Sequence, residues 1–247
     1  MQRVRRVAPI VALVLLGGVV LSGCRSQPDV AAYVGSNKIT EAQVTKIVDD
    51  FRERTTPPAQ AGTTATPTGQ NLPRSSVVTA LVVRSVCAKL REERDFATKP
   101  TTAQQLVEGT SISPDTEYVK VLADMLTCVS GLEVPGGTPS EEQLRDLYDN
   151  AAANNLVDPV TQPFDAVKAS LASDPGIQQK AAVQRALAEG AKVTDVVINP
   201  RYRPLQYAVN LQEGVFFTVP LGEPGMDVVT PAPATADTAG GAQAPPQ

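Results

Sequence analysis

Histidine and tryptophan are absent from the 247 residues, and all aromatic residues together make up 4%. Without histidine, neither a Ser-His-Asp nor a Cys-His arrangement can form, and histidine ligation of a metal is excluded. No Ser-x-x-Lys spacing is present for a serine–lysine mechanism. The paired glycines of Pro135–Pro139 and Ala239–Gln243 lack the Gly-Lys-Ser/Thr that makes a phosphate loop. Basic excess is lacking as well: 22 Lys and Arg stand against 26 Asp and Glu. That balance argues against nucleic acid, whose binding depends on neutralising phosphates from a basic surface. The scarcity of rings directs the core toward small aliphatic contacts, so a helix-rich fold of one or two domains is expected.

The first segment reads differently from the rest. Arg3, Arg5 and Arg6 precede an apolar run from Val7 to Leu21, which small residues close. This is the layout of a secretory signal, and the run is short for a spanning helix, which needs about 20 apolar residues. Leu21-Ser22-Gly23-Cys24 then resembles the lipobox of bacterial lipoproteins. The resemblance implies a signal peptide over 1–23, a diacylglyceryl group on the Cys24 sulfur, cleavage before Cys24 and acylation, palmitate included, of the new N-terminus. It also implies a location at the extracytoplasmic face of the cell membrane, held by lipid. Two acyl chains anchor stably where one is marginal, at about 0.8 kcal/mol per buried methylene. An uncleaved N-terminal anchor is the competing reading. Loss of residues 1–23 removes three arginines and no acids, leaving 19 basic against 26 acidic residues and a net charge of −7.

Two further cysteines, Cys87 and Cys128, would then lie where disulfides persist. An even pair in an exported chain points to a bridge, with two buried thiols packed as small hydrophobes as the alternative. No Cys-x-x-Cys spacing supports a metal site.

Along the chain, Val30, Ala32 and Val34 alternate with smaller or more polar residues, Gly35-Ser36-Asn37 supplies a turn, and Lys38-Ile39 returns. Thr40 and Gln43 form a capping box, and Ile39 and Val44 sit at the positions of a hydrophobic staple. Val44, Ile47, Val48 and Phe51 follow on one helical face. Residues 55–73, rich in Thr, Pro and Gly, read as a mobile loop. A central helix is expected over 76–94, apolar at Ala80, Val83, Cys87 and Leu90 and widened by Leu81, Val82 and Val86. A short helix follows within 101–109. Ser113-Pro114 then suits the start of a helix whose face carries Val121, Met125 and Cys128 beside Tyr118, Leu122, Leu126 and Val129. A bridge between Cys87 and Cys128 would staple that helix to the central one.

Thr138 or Ser140 can cap a helix with Leu144, Leu147, Tyr148 and Ala151 on its stripe. Further helices are expected from Phe164 to Asp174 and on to Gly190. Val193–Ile198 reads as a strand stopped by Asn199-Pro200. A hairpin is marginal alone in water, so Ala31–Ile39 requires that strand as a partner. Residues 224–247 read as a disordered tail. The acidic pairs Asp49-Asp50, Glu92-Glu93 and Glu141-Glu142 offer two carboxylates each, at helix ends or solvent faces where charge is ordinarily only solvated. Among the polar clusters, Asn199–Tyr207 is the most site-like, although arginine stems and tyrosine rings also serve as packing.

Three stretches in this order, Val30–Val44, Thr138–Ala151 and Phe164–Leu205, resemble the SurA N-terminal domain family of extracytoplasmic chaperones, akin to the trigger-factor substrate-binding region and PrsA-type foldase lipoproteins. The resemblance implies a mainly α fold over 30–223, behind a lipid-anchored linker at 24–29. One small β-sheet would be formed by the N-terminal hairpin and a C-terminal strand. It also implies a non-enzymatic holdase that takes unfolded exported polypeptides as partners, without ATP, metal or any small-molecule cofactor. It does not place the substrate-binding residues. Family members commonly insert a parvulin-type prolyl isomerase domain where this chain has only Ala151–Pro163. A cell-envelope adaptor that reuses the fold and a degenerate prolyl isomerase are the alternative readings. If Cys24 is the anchor, Cys24→Ala leaves an uncleaved or mislocalised precursor on immunoblots of membrane fractions; normal processing with stable membrane retention would contradict it.

Overall fold

The computed structural model describes residues 27–55 and 71–222, apart from 95, 99 and 133. Cys24, the signal segment, most of the 55–73 loop and the 224–247 tail lie outside the described residues. Within them the chain is mainly helical with two small antiparallel sheets.

Strand β1 (Val30–Val34) is buried along its whole length and pairs on one side with β2 (Asn37–Thr40). The turn between them rests on Gly35 at φ +59°, a conformation that costs a side chain strain. On its other side β1 pairs antiparallel with β3 (Val196–Ile198), so Ala32, Tyr33 and Val34 face Ile198, Val197 and Val196. Asn199 continues this pairing: its backbone N–H donates to the Ala31 carbonyl at 3.0 Å and its side chain to the Val30 carbonyl at 2.8 Å. The chain thus closes on itself across the 161 positions between Val34 and Val196, which carry the helices. Val193, expected in this strand, instead ends the preceding helix and is exposed. The reason is Gly190, which does not stop that helix. It lies under Leu90, where a Cβ would come within 2.8 Å of Leu90 Cδ1, so the glycine permits close helix packing and the helix runs on.

Helix α1 (Glu41–Thr55) starts where Thr40 Oγ1 accepts the Gln43 N–H at 3.1 Å, and it buries Val44, Ile47, Val48 and Phe51. Helix α2 (Arg74–Arg94) is the centre of the molecule. Its buried residues, among them Val77, Val78, Leu81, Val82, Val83 and Val86, occupy most of its circumference. Burial of each such side chain contributes about 1.5–3 kcal/mol, which explains how a core with few rings holds. A short helix α3 (Ala103–Val107), boxed by Thr102 and Gln105, leads to α4 (Glu117–Ser130).

Helix α4 begins after Thr116, three residues later than Ser113-Pro114 suggests. Ser113 is used in the preceding turn, where its carbonyl accepts from Thr116 and its hydroxyl from the Asp115 N–H. The first free amide of the helix, on Glu117, is taken by Asp50 of α1 at 2.8 Å. Phe51 and Tyr118 meet edge to face beside this contact. Cys87 and Cys128 are bonded across α2 and α4, with their Cα atoms 6.0 Å apart.

Helices α5 (Glu141–Ala153), α6 (Phe164–Ser173) and α7 (Pro175–Val193) complete the helical layer. Ser140 rather than Thr138 caps α5, with Gln143 completing the box. The buried Gln143 amide also donates to Ala181 O and Gln184 Oε1 of α7, so a capping residue doubles as an interhelix tie. Asp174 caps α7, with Pro175 in its first turn.

Among the described residues there are two sheets rather than the single one expected. Strands β4 (Gln206–Gln212) and β5 (Val215–Pro220) form a separate hairpin around Glu213-Gly214, packed on α5 and α7. Tyr207, Val209 and Leu211 alternate with Gln206, Asn210 and Gln212, a period-two pattern that the composition of the neighbouring Asn199–Leu205 stretch obscured.

The Cys87–Cys128 bond closes a loop of 41 residues. Reduction should lower stability by about 4 kcal/mol in the chain-entropy model. Urea denaturation with and without reductant measures this. Labelling of both thiols in unfolded, unreduced protein would show that no bridge exists.

Candidate functional site

The residues singled out by sequence divide into two groups once folded. The acidic pairs are taken up by local structure. Asp49 meets Arg52, Asp50 meets Arg54 and caps α4, Glu92 meets Lys89, and Glu141 meets Lys168. Among the described residues, no group of three His, Cys, Asp or Glu side chains is arranged to hold a metal ion. Among the same residues, no helix is long and apolar enough to cross a membrane.

Two residues of the Asn199–Tyr207 stretch, Arg201 and Tyr202, meet Glu41 in the first turn of α1. Tyr202, itself buried, donates its hydroxyl to Glu41 Oε2 at 2.8 Å. Arg74, in the first turn of α2, donates to the same oxygen at 2.8 Å and to Thr45 Oγ1 at 2.9 Å. Arg201 Nη1 stands 3.3 Å from the buried Oε1, within ion-pair range but out of hydrogen-bond alignment. Arg203 turns away to donate to the Ile198 carbonyl. Burial pushes the Glu41 carboxyl up, yet the bonds from Arg74 and Tyr202 and the charges of Arg201 and Arg74 outweigh it and hold the group below its ordinary value. The position favours this too, since a carboxylate in the first turn faces the positive end of the helix dipole. This cluster ties both ends of the domain together, and its atoms are directed at one another.

A groove lies elsewhere, between α4 and β4. The buried face of α4 carries Val121, Met125 and Cys128, and Tyr118, Leu122, Leu126 and Val129 form a second, half-buried stripe beside it. Among the described residues, that stripe packs against the core and stays partly exposed. One section of the groove, about 650 Å³, is bounded by Tyr118, Leu122 and Met125 of α4, by Ser75, Ser76 and Thr79 of α2, and by Gln206, Ala208 and Asn210 of β4. A second, about 400 Å³, runs on past Leu126, Val129 and Leu132 to Tyr207, Val209 and Val183. Tyr207 and Asn210 border both sections, so the two adjoin along α4. Burial raises the phenols of Tyr118 and Tyr207 above the ordinary tyrosine value, so both present neutral hydroxyls at any physiological pH.

The α4 wall was legible in the sequence as the second stripe on a helix. The β4 wall was not, although Tyr207, Val209 and Leu211 alternate with polar residues as a strand's would.

No family model, no curated protein and no solved structure matches this chain.

Because the folded pKa of Glu41 is lowered, its contribution is present above the ordinary glutamate range and is lost as pH falls through the folded value. Glu41→Gln should therefore cost about 2 kcal/mol near neutrality, the scale of hydrogen bonds to a charged group. The difference from wild type should shrink in acid. Urea titrations across that range check it, and a pH-independent difference would contradict it.

Proposed function

We propose that the protein is a membrane-tethered holdase of the SurA N-terminal type, which retains unfolded exported polypeptides without ATP. The groove between α4 and β4 supports this reading best. It offers aliphatic and aromatic surface along a channel, with serine, threonine and asparagine at its rim. A surface of this kind binds by apolar burial, which is indifferent to client sequence. Burying a few hundred Å² at about 25 cal/mol per Å² supplies several kcal/mol. Association and ordering of a flexible client offset a large share of it, so capture is weak per site and reversible. Release then needs no energy source. Tethering by lipid at Cys24 would hold this surface where exported chains emerge.

Prolyl isomerisation is a different task. It must lower a rotation barrier of about 18–20 kcal/mol with polar groups set around the twisting amide. The short connection from Asn154 to Pro163, between α5 and α6, is the place where family members carry an isomerase domain.

The protein should delay aggregation of several unrelated unfolded clients at roughly stoichiometric amounts, followed by light scattering, and leave proline-limited refolding uncatalysed. Substoichiometric catalysis of that slow phase would replace the reading with an isomerase. Indifference of every client would favour an adaptor with one dedicated partner.

A further inference from the structure

We propose that the outer edge of β4 binds an extended segment of a client polypeptide by strand addition, so that the groove captures backbone as well as apolar side chains. This deepens the holdase reading and rests on it.

The phase of the hairpin decides which groups are available. The Leu221 N–H donates to the Leu205 carbonyl at 2.9 Å, and the two residues stand directly opposite in the continuation of the β4–β5 register. In an antiparallel ladder such bonded pairs recur at every second position. Tyr207–Val219 and Val209–Phe217 are therefore bonded pairs. Gln206, Ala208 and Asn210 direct their N–H and C=O groups away from β5.

The same phase on β5 directs Phe216, Thr218 and Pro220 outward, and that edge is covered. The Thr218 N–H donates to Asp146 Oδ2 at 2.6 Å, the Thr218 carbonyl accepts from Gln184 Nε2 at 3.0 Å, and the Phe216 carbonyl accepts from Asn150 Nδ2 at 3.2 Å. Pro220 has no N–H to satisfy. On β4 the contrast is complete: among the described residues, no hydrogen bond is made to the outward backbone groups of Gln206, Ala208 or Asn210. These three residues border the groove.

Open edges are ordinarily guarded by charge, proline, a bulge or a covering element. Here Pro204 stands before the strand and a register shift between Asn210 and Gln212 ends its regular part, and the three outward positions between them are two uncharged amides and an alanine. The chemistry that matches a row of alternating N–H and C=O groups is another extended backbone, and the apolar stripe of α4 facing it accepts aliphatic side chains at alternate positions. A segment of about five residues spans Gln206 to Asn210 at roughly 3.3 Å per residue. A second copy of this chain fits less well, because its own β4 edge borders a groove shared with its own α4. A single unfolded strand is not so constrained.

The test uses the full chain reconstituted in lipid nanodiscs and a short, end-blocked, fluorescent peptide that alternates valine with lysine. Two derivatives carry backbone N-methyl groups, one on every valine and the other on every lysine. Only one of these sets can face β4, so one derivative should lose about tenfold or more in affinity by anisotropy and the other should bind within about threefold of the parent. Which one loses reports whether the added strand runs parallel or antiparallel. Ala208→Pro removes an outward donor at a position that makes no bond to β5, and should weaken parent binding by about tenfold with little change in thermal midpoint. Should that variant misfold, the methylated pair still decides. Equal binding of both derivatives overturns strand addition, and if aggregation suppression persists the holdase reading survives through apolar contact alone. Absence of parent binding also overturns it, and a dimer that Ala208→Pro dissociates would assign the edge to a second copy.

Discussion

Ala32, Tyr33 and Val34 stand opposite Ile198, Val197 and Val196, and the rest of the molecule depends on that pairing. Three strand residues near one end of the domain meet three near the other. All seven helices of the described residues lie between or beside them. Loop closure on this scale is entropically costly but grows only slowly with length. What fixes it is the density of contacts at the seam. Asn199 lengthens the ladder by two bonds, and Glu41 gathers Arg74 from α2 and the adjacent Arg201 and Tyr202 from the turn after β3 around one half-buried carboxylate. Removing one partner from such a group leaves a charge with inadequate compensation, which is more damaging than the net worth of the pair suggests. Gly222 adds a steric condition: at φ +84°, any Cβ there would come within 2.8 Å of Ile198 Cγ1 and 3.0 Å of the Val196 carbonyl. The second sheet thus ends flush against the first.

From this closure follows the placement of the groove. Helix α4 is held on one side by Asp50 and Phe51 of α1 and on the other by the disulfide to α2. The β4–β5 hairpin is held at its far edge by Asp146, Asn150 and Gln184 of α5 and α7. Each wall is anchored from behind, and neither needs the other to stand. Two independently supported walls can leave a channel between them without the structure collapsing into it.

The sequence disclosed elements whose local rules agreed with their tertiary use. Thr40 with Gln43, Ser140 with Gln143 and the apolar stripe of α2 all signal helices, and tertiary packing uses them in the same sense. Closure of the hairpin onto Val196–Ile198 was legible because an isolated hairpin cannot persist. Local rules failed where a residue served a distant neighbour. Gly190 looks like a stop and serves Leu90; Ser113-Pro114 looks like a start and serves a turn before Thr116. The candidate groove was half legible for the same reason. A helical stripe can be counted along one element, whereas a channel exists only when a second wall is known. Cluster formation at Glu41 was beyond reach, since nothing in Glu41 itself signals that Tyr202 will arrive 161 positions later.

The disulfide has a mechanical meaning once the groove is considered as a pair of jaws. The α4 jaw is covalently fixed to the central helix through Cys128, near the end where the channel passes Leu126 and Val129. The β4 jaw is attached only through hydrogen-bonded side chains and apolar packing. The two walls therefore differ in kind: reduction would release the tie of one and leave the contacts of the other intact. Through the close approach of Gly222 to Val196 and Ile198, that second wall also abuts the strand that closes the domain.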